Sequence, residues 1–375
     1  MARGKRILVF GSYAPSLIHF RGTLIADMAK RGHSVLAAAP EIDGHVAESL
    51  RKLGAEPRQI PLRNVSLNPL ALFKSYKAAR ALLREAQPDI ILAYTIKPVI
   101  VAALAGRAER TGRIVSLITG AGYAFTGGRE PRRVLSKLAA TFLYRRALKR
   151  SDVVIFQNPD DQALFRRLRL LPRGQRTAIV NGSGVDLEYF SPAPIPEKTS
   201  FLMIARLLRD KGVREFAEAA KRLKAQYPSI HIGLVGDFDP SPDSLRQDEL
   251  DELIRCGIDY KGRLDDVRPA IAACSVYDLP SYREGTPRSV LEAMAMGRAI
   301  ITTDAPGCRE TVNPGENGLL VKPRDADSLF DAMKRFVDEP ALARRMGEAS
   351  RRMAEARYDV IKVNADLMRH AGLTT

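Results

Sequence analysis

The amino-acid sequence predicts an α/β protein with two Rossmann-like domains, each built on a doubly wound parallel sheet. Two observations predict it. Short runs rich in Val, Ile and Leu alternate with helical patterns, and a proline-rich segment interrupts this alternation near the middle of the chain. Continuous apolar strands are typical of sheets buried on both faces, and strands alternating with helices are typical of parallel sheets. A chain of 375 residues is long enough for two cores.

Six strands are predicted in the first half of the chain, with helical patterns between them. These strands are Lys5–Gly11, Ser34–Ala38, Ile90–Ala93, Arg113–Ile118, Val153–Phe156 and Thr177–Val180. The clearest helical patterns cover Arg21–Arg31, Pro69–Ala86 and Pro131–Lys149.

A linker is predicted at Ser191–Pro196, because three prolines in six residues oppose both helix and sheet. After it the alternation resumes, and the predicted strands are Ser200–Ile204, Ile230–Val235, Asp259–Lys261, Val276–Leu279, Ala299–Thr302 and Gly318–Val321. We therefore predict an N-terminal domain over residues 1–190, a C-terminal domain over residues 191–355, and a final helix in residues 356–375 that packs back on the first domain. Ligands of such sheets bind beyond the carboxyl ends of the strands, which predicts a site in the cleft between the domains.

The positive charge is confined to the first half. Residues 1–190 contain 31 Lys and Arg against 14 Asp and Glu, whereas residues 191–375 contain 28 against 29. This asymmetry indicates an anionic partner, such as membrane phospholipid, a phosphorylated acceptor or nucleic acid, with general solubility as the alternative. The stretch Pro131–Arg150 has the pattern of a basic amphipathic helix, which suits an anionic membrane surface, with an ordinary core-covering helix as the alternative.

Composition also limits where the protein works. Its three cysteines, Cys256, Cys274 and Cys308, form no paired motif, which is typical of a reducing compartment. The first apolar run stops at Gly11, too early for a signal peptide, and no stretch of 18 apolar residues predicts a membrane span.

The clearest chemical motif is the segment Glu284–Glu292, which follows a strand and opens a helix. We expect Thr286 to cap this helix and Pro287 to occupy its first position. A helix N-terminus binds phosphate, and the two glutamates would accept hydrogen bonds from hydroxyls on either side of it. Glu292 lies in an almost wholly apolar run, where a carboxylate is costly unless it has a partner. The segment therefore suits a molecule that joins a sugar, a diphosphate and a ribose.

A second motif follows the first strand of the C-terminal half. Arg206 and Lys211 lie five residues apart in a loop that precedes a helix. Two cations at the carboxyl end of a strand would neutralise a diphosphate leaving group.

Together these motifs resemble those of the retaining glycosyltransferases of family 4, which have the GT-B fold. More narrowly, the chain resembles the branch that extends polyprenyl-diphosphate-linked sugars. The resemblance covers residues 5 to 370. The segments that carry it, besides the two motifs, are Tyr94–Pro98, Ile118–Phe125, Phe156–Asn158, Asn181–Asp186, Leu279–Gly285 and Asp304–Glu310.

The resemblance implies roles for individual residues. Glu284, Arg206 and Lys211 would be catalytic, and the donor nucleotide-sugar would also contact Gly285, Thr286, Arg288, Glu292, Arg263, Leu264, Gly11 and Ser12. In this branch the donor nucleotide is usually UDP, and the acceptor is a polyprenyl-diphosphate sugar at the inner face of the cytoplasmic membrane. Acceptor contacts are expected from His19, Arg21, Lys97, Thr119 and Tyr123. Retention of the anomeric configuration needs no protein nucleophile, and neither a metal ion nor another cofactor is expected.

Two features qualify this interpretation. Asp237-Phe238-Asp239 has the form of a metal-binding D-x-D, but it follows a second-domain strand and is interpreted as a metal-free loop. Asp278 lies within a predicted buried strand, so it needs a cation or water, and Arg206 or Lys211 is the expected partner.

The sequence bears on three other functions. A nicotinamide dehydrogenase is disfavoured, because the first loop lacks G-x-G-x-x-G. A nonhydrolysing sugar-nucleotide 2-epimerase would share the fold and remains an alternative. A non-catalytic anion-binding module is the alternative of a different class, but no aromatic-interleaved basic strand or recognition helix predicts nucleic-acid binding.

Overall fold

The computed structural model describes residues 4–62, 69–121, 131–239, 241 and 243–373, and only the backbone of residues 69–70 and 131–137. The chain divides into two compact units. The first comprises Met1–Ser183 and Val363–Thr375, and the second comprises Gly184–Lys362. Each unit is built on its own parallel sheet, so the predicted fold class is confirmed.

The sheet of the first unit has seven parallel strands in the order β3-β2-β1-β4-β5-β6-β7. The strands are β1 (Arg6–Phe10), β2 (Ser34–Ala39), β3 (Ala55–Gln59), β4 (Ile90–Tyr94), β5 (Arg113–Ile118), β6 (Val153–Phe156) and β7 (Thr177–Ile179). The helices are α1 (Ala14–His19), α2 (Gly22–Lys30), α3 (Gly44–Lys52), α4 (Pro69–Ala86), α5 (Ile96–Ala108), α6 (Pro131–Leu148) and α7 (Pro159–Arg167). Strand order reverses between β1 and β4, which is where ligands of such sheets bind.

Strand β3 was not predicted. Its residues, Ala-Glu-Pro-Arg-Gln, alternate only weakly in burial, and Pro57 lacks a backbone N–H. Both properties fit its place at the edge of the sheet, where only β2 pairs with it. Edge position therefore explains why this strand lacks the apolar run by which the other strands were recognised.

The last helix of the chain packs in the core of the first unit. Helix α14 (Val360–Ala371) contributes Leu367 and Met368 to the same core cluster as Ile7 and Val9 of β1. The Arg113 guanidinium also donates to the carbonyl of His370 at 3.3 Å. The division between the units falls inside α14, after Lys362, seven residues beyond the predicted boundary at residue 355.

The sheet of the second unit has six parallel strands in the order β10-β9-β8-β11-β12-β13, all predicted. They are β8 (Ser200–Ile204), β9 (His231–Val235), β10 (Asp259–Tyr260), β11 (Val276–Leu279), β12 (Ala299–Thr303) and β13 (Gly318–Val321). The helices are α8 (Val213–Gln226), α9 (Gln247–Arg255), α10 (Arg268–Ala272), α11 (Arg288–Ala295), α12 (Ala326–Asp338) and α13 (Ala341–Met353), with a π-helical turn at Ala354–Tyr358.

The proline-rich segment belongs to the second unit, which begins at Gly184 rather than at residue 191. The fully buried guanidinium of Arg298 donates to the carbonyl of Ala193 at 2.9 Å and to that of Pro194 at 3.1 Å. Prolines have no N–H to offer a sheet, but their carbonyls still accept. Arg298 therefore fixes this segment on the second unit.

Candidate functional site

Two loops of the second unit meet at the carboxyl ends of neighbouring strands. One follows β8 and carries Arg206 and Lys211; the other follows β11 and carries Glu284. Lys211 Nζ lies 2.5 Å from Glu284 Oε1, and Ser281 Oγ donates to the same oxygen at 2.9 Å. Both members of the ion pair are mostly buried, with side chains 19% and 15% exposed. The structure therefore brings together two of the three residues predicted to be catalytic.

The lysine keeps its charge despite its burial. Burial by itself lowers the pKa of Lys211, but the charge and hydrogen bond of Glu284 outweigh it, and the net pKa is raised. The neighbouring cation Arg206 works in the opposite direction and lowers this pKa. Lys211 is thus a protonated amine that is positioned to bind an anion.

The lysine turn is tied to the glutamate loop through the backbone. Residues Arg209–Lys211 form a 3-10 turn, and the N–H of Tyr282 donates to the carbonyl of Asp210 at 2.9 Å. The turn ends at Gly212, whose φ is +73°, and a Cβ built there would lie 2.1 Å from the carbonyl oxygen of Pro280. Only glycine allows so close an approach. The Tyr282 hydroxyl adds a 2.6 Å hydrogen bond to Glu215 on α8.

The buried residues Thr303 and Cys308 form a layer that supports the loop of Glu284. The Thr303 hydroxyl donates to the carbonyl of Ser281, and the thiol of Cys308 lies 3.8 Å from that same carbonyl oxygen. The N–H of Glu284 donates to the carbonyl of Pro306 at 2.9 Å. Neither Ser281 nor Thr303 was singled out from the sequence, because small hydroxyl residues near a strand end are too common to predict a site.

Helix α11 begins one residue later than predicted. Pro287 is its N-cap with an extended backbone, and no side chain caps the helix. The expected cap by Thr286 is therefore wrong: its hydroxyl donates to the carbonyl of Gly285 at 3.0 Å instead. The helix still starts directly after the loop that carries Glu284, the partner of Lys211, so its positive end follows that loop.

Glu292 has the partner that its burial demands. The residue is only 9% exposed, and Arg288 Nε, one turn earlier on α11, donates to its Oε1 at 2.8 Å. Burial raises the pKa of Glu292, while the charge of Arg288 opposes that rise. The sequence predicted that Glu292 is functional. For Arg288 it predicted only a contact with the donor and not this ion pair.

Arg206 is held by a different acid. Its side chain is 62% exposed and donates to Asp239 at 2.6 Å. Asp239 belongs to the D-x-D sequence, whose first carboxylate accepts from the N–H of Phe238. Within the described part of the chain, no three His, Cys, Asp or Glu side chains gather as a metal site requires.

Asp278 does not pair with either expected cation, because Lys211 binds Glu284 and Arg206 binds Asp239. The side chain is fully buried on β11, and among the described residues neither carboxylate oxygen has a hydrogen-bond partner. Burial raises the pKa of Asp278 well above its usual range. The expectation of an ion pair is wrong, and burial without a partner favours the uncharged form of the carboxyl instead.

Arg263 and Leu264 follow the edge strand β10 at the same end of the sheet. Arg263 is exposed, while Leu264 packs partly against the core. The preceding Gly262 accepts at 2.9 Å from the N–H of Gly236, which follows β9. The loop therefore follows a strand end and exposes the Arg263 cation, while its predicted contact with the donor stays a prediction.

In the first unit, the loop after β1 meets the loop after β4. The hydroxyl of Thr95 donates to that of Ser12 at 2.9 Å, and a Cβ on Gly11 would lie 2.4 Å from the Tyr94 hydroxyl oxygen. Thr95 has a φ of +67°, a strained value for a β-branched residue. Sequence analysis selected Gly11 and Ser12 but assigned no role to Thr95, because backbone strain leaves no pattern in the sequence.

The predicted acceptor residues differ in exposure. His19 is exposed at the end of α1, Thr119 is half-buried after β5, and Lys97 is half-buried in the first turn of α5, where burial lowers its pKa. Arg21 is only 2% exposed, and its guanidinium lies 5.2 Å from the centre of the Tyr94 ring. Tyr123 lies outside the described residues.

Models of two protein families match the chain, one on each half. Residues 21–182 match the glycosyl transferase 4-like domain, and residues 187–353 match glycosyl transferases group 1. The chain is 28% identical over 341 residues to the N,N'-diacetylbacillosaminyl-diphospho-undecaprenol alpha-1,3-N-acetylgalactosaminyltransferase of Campylobacter jejuni, covering 87% of this chain and 88% of the relative. It is 27% identical to the UDP-Gal:alpha-D-GlcNAc-diphosphoundecaprenol alpha-1,3-galactosyltransferase of Escherichia coli, covering 75% and 74%.

Solved structures share the fold at lower identity. The sucrose-phosphate synthase of Thermosynechococcus elongatus superposes with a TM-score of 0.80 at 21% identity, covering 97% of this chain and 98% of the other. Anabaena HepE in complex with UDP and glucose superposes with a TM-score of 0.76 at 19% identity, covering 99% and 100%.

Proposed function

The chain belongs to the family 4 glycosyltransferases of the GT-B fold, and from that premise we propose that it moves a hexose or N-acetylhexosamine from a UDP-sugar to a polyprenyl-diphosphate-linked sugar. The observation that carries this proposal is the buried Lys211–Glu284 ion pair, one loop before a helix that begins with the Arg288–Glu292 pair. Two carboxylates and two cations at one strand edge provide contacts for sugar hydroxyls, ribose hydroxyls and a diphosphate.

The proposed chemistry relies on charge stabilisation. The bond from the anomeric carbon to the diphosphate oxygen breaks, a bond to the acceptor hydroxyl forms on the same face, and the departing diphosphate takes the acceptor proton. Lys211 and Arg206 would stabilise the negative charge that grows on the leaving group, aided by the N-terminus of α11. Glu284 would orient the donor sugar, and Glu292 the ribose. In this proposal the reaction retains the anomeric configuration and uses no metal ion.

The substrates are proposed from the relatives. The names of the Campylobacter jejuni and Escherichia coli enzymes both specify a sugar on diphosphoundecaprenol as acceptor, and the second specifies a UDP-sugar as donor. A product of this kind would feed the assembly of a surface polysaccharide or protein-linked glycan.

An acceptor with a polyprenyl tail would confine the reaction to a membrane surface, and we place it at the cytoplasmic face. In the described residues, no helix combines the length and apolarity that crossing a membrane takes.

The proposal is tested by measuring UDP release from UDP-sugars, with and without extracted polyprenyl-diphosphate acceptor. Release that depends on the acceptor identifies a transferase, whereas conversion of the UDP-sugar to its epimer without acceptor identifies the 2-epimerase. Lys211→Ala and Glu292→Ala should each lower kcat by roughly 10²–10³-fold, since each removes a contact to the reacting donor. Lys334→Ala, which breaks an ion pair with Asp338 on α12, is the matched control. Full activity in both site variants would contradict the proposal.

A further inference from the structure

An apolar groove lies on the first unit between helices α4, α5 and α6. It has a volume of about 630 Å³. The apolar side chains that line it include Leu72, Phe73, Tyr76, Leu104, Phe142 and Leu143. The groove shares no residue with the loops after β1, β4 and β5, where the acceptor contacts were predicted.

The edges of the groove leave large apolar side chains in solvent. Phe73 is 53% exposed and Phe142 is 55% exposed, and Leu138, one turn before Phe142, is 62% exposed. Leu138 and Phe142 are not part of the buried face of α6, which Tyr144, Ala147 and Leu148 form. Exposed apolar groups gathered in one place mark an interaction site more often than scattered ones do.

Cations accompany each exposed ring. Lys77 Nζ lies 4.8 Å from the centre of the Phe73 ring, and the Arg146 guanidinium lies 4.7 Å from the centre of the Phe142 ring. Arg107 and Arg150 line the groove itself. None of these four cations has an ion-pair partner within the described part of the chain.

The three helices carry almost no opposing charge. The sequences of α4, α5 and α6 contain eleven Lys and Arg and a single acid, Glu85. Glu85 already pairs with Arg58, and the nearby Glu109 pairs with Arg80 and Arg84. The surface around the groove is therefore strongly positive and complementary to an anionic surface.

We propose that this groove and its cations are the surface by which the protein docks on an anionic phospholipid bilayer. Phe and Leu side chains on one face of a surface-bound helix enter the boundary between headgroups and acyl chains, where their apolar surface is buried. Long basic side chains lie along the rings and carry their charge onward to the phosphates. The proposal rests on the proposed function in one respect, that a polyprenyl-linked acceptor requires a membrane surface.

Vesicle flotation of the full-length protein tests the surface directly. Vesicles of phosphatidylcholine alone are compared with vesicles that also contain phosphatidylglycerol. Each cation at an anionic surface contributes about a fivefold factor in partitioning, so the double variant Lys77→Gln/Arg146→Gln should bind the anionic vesicles roughly 25-fold more weakly. The double variant Phe73→Ser/Phe142→Ser should lose at least tenfold, since each ring loses its apolar contact.

Ile361→Ser is the control, because Ile361 is an exposed apolar residue (73%) that belongs to the second unit. It should bind anionic vesicles as the unchanged protein does. Unchanged binding by both double variants would overturn the proposal, as would an equal loss in the control. Binding of an acidic protein with no binding to anionic vesicles would overturn it too, and would assign the surface to a protein partner.

An activity measurement separates this proposal from the proposed function. With a short-chain, water-soluble acceptor diphosphate and no vesicles, both double variants should release UDP at the unchanged rate, and they should slow only when the acceptor is embedded in vesicles. Vesicle binding without any acceptor-dependent UDP release would support the docking surface and contradict the proposed function. Equal slowing on the soluble acceptor would show that these residues act in turnover rather than in docking.

Discussion

At the scale of single residues, the candidate site of the second unit holds its buried charged groups in pairs. Lys211 and Glu284 form one pair, and Arg288 and Glu292 form another. A hydroxyl of the donor substrate must therefore compete with the bound cation for each carboxylate. Each cation, in turn, lies where it can bind a phosphate of that substrate. Such pairing keeps buried charges stable before the substrate arrives.

Asp278 is the exception, and its lack of a partner predicts a measurable pH dependence. Burial raises the pKa of its carboxyl. A carboxyl with a raised folded-state pKa contributes stability below the ordinary range near pH 4, and this contribution is lost as pH rises toward the folded value. Asp278→Asn should therefore flatten the fall in unfolding free energy between pH 5 and pH 8.5, measured by urea unfolding. Asp331→Asn, an exposed acid on α12, should keep the original slope. Equal slopes for all three proteins would contradict the prediction.

The sequence predicted the charged residues of this site better than it predicted their partners. Glu284, Glu292, Arg206 and Lys211 stand out because each follows a strand or opens a helix at a fixed spacing. The pairing of Arg206 with Asp239 depends on how the loops after β8 and β9 fold. No local pattern encodes such a contact between loops, and the same reason explains the wrong partners proposed for Asp278.

At the scale of elements, the runs of buried strands were predictable, and the strand that was missed lies at a sheet edge. Strand β3 pairs with β2 alone, so it lacks the continuous apolar run of a strand that is covered on both sides. Caps are harder to predict, since a shift of one residue moved Thr286 out of the cap of α11.

The turn that ends at Gly212 should be sensitive to any added side chain. Gly212→Ala adds a methyl group 2.1 Å from the carbonyl oxygen of Pro280 at a φ of +73°. We expect a loss of about 3 kcal/mol in unfolding free energy, together with a fall in transfer rate as the Lys211 turn is displaced. Gly315→Ala shares the positive φ, at +84°, but meets nothing within 4 Å, and should cost only about 1 kcal/mol. Equal costs, measured by urea unfolding, would show that the contact with Pro280 relaxes.

At the scale of the whole molecule, the chain returns to its first unit at the end. Leu367 of α14 is 1% exposed among the strands and helices of the first core. Composition and alternation predicted two sheets, and the final helix was predicted to pack back, but the exact residue where the chain changes unit has no signal in the sequence.

Because of this packing, a substitution near the end of the sequence should destabilise the first unit and not the second. Leu367→Ala should lower the stability of the first unit by about 2–5 kcal/mol, because it leaves a cavity in that core. Hydrogen exchange at the amides of β1 and β2 should quicken, while exchange at β8 and β12 stays unchanged. Ile361→Ala, at a site 73% exposed, should leave both units unchanged. Faster exchange in both sheets would contradict the assignment of α14 to the first unit.

The buried layer below Glu284 gives the molecule a built-in chemical reporter. Burial raises the pKa of both Cys274 and Cys308 to about 12, whereas Cys256 is exposed. A maleimide or disulfide reagent should therefore modify one thiol quickly and leave two protected, and Cys256 accepts a fluorophore without mutagenesis. Cys308 becomes reactive only when the residues that bury it move apart, so the rate of its slow modification measures how often the layer under the Glu284 loop opens.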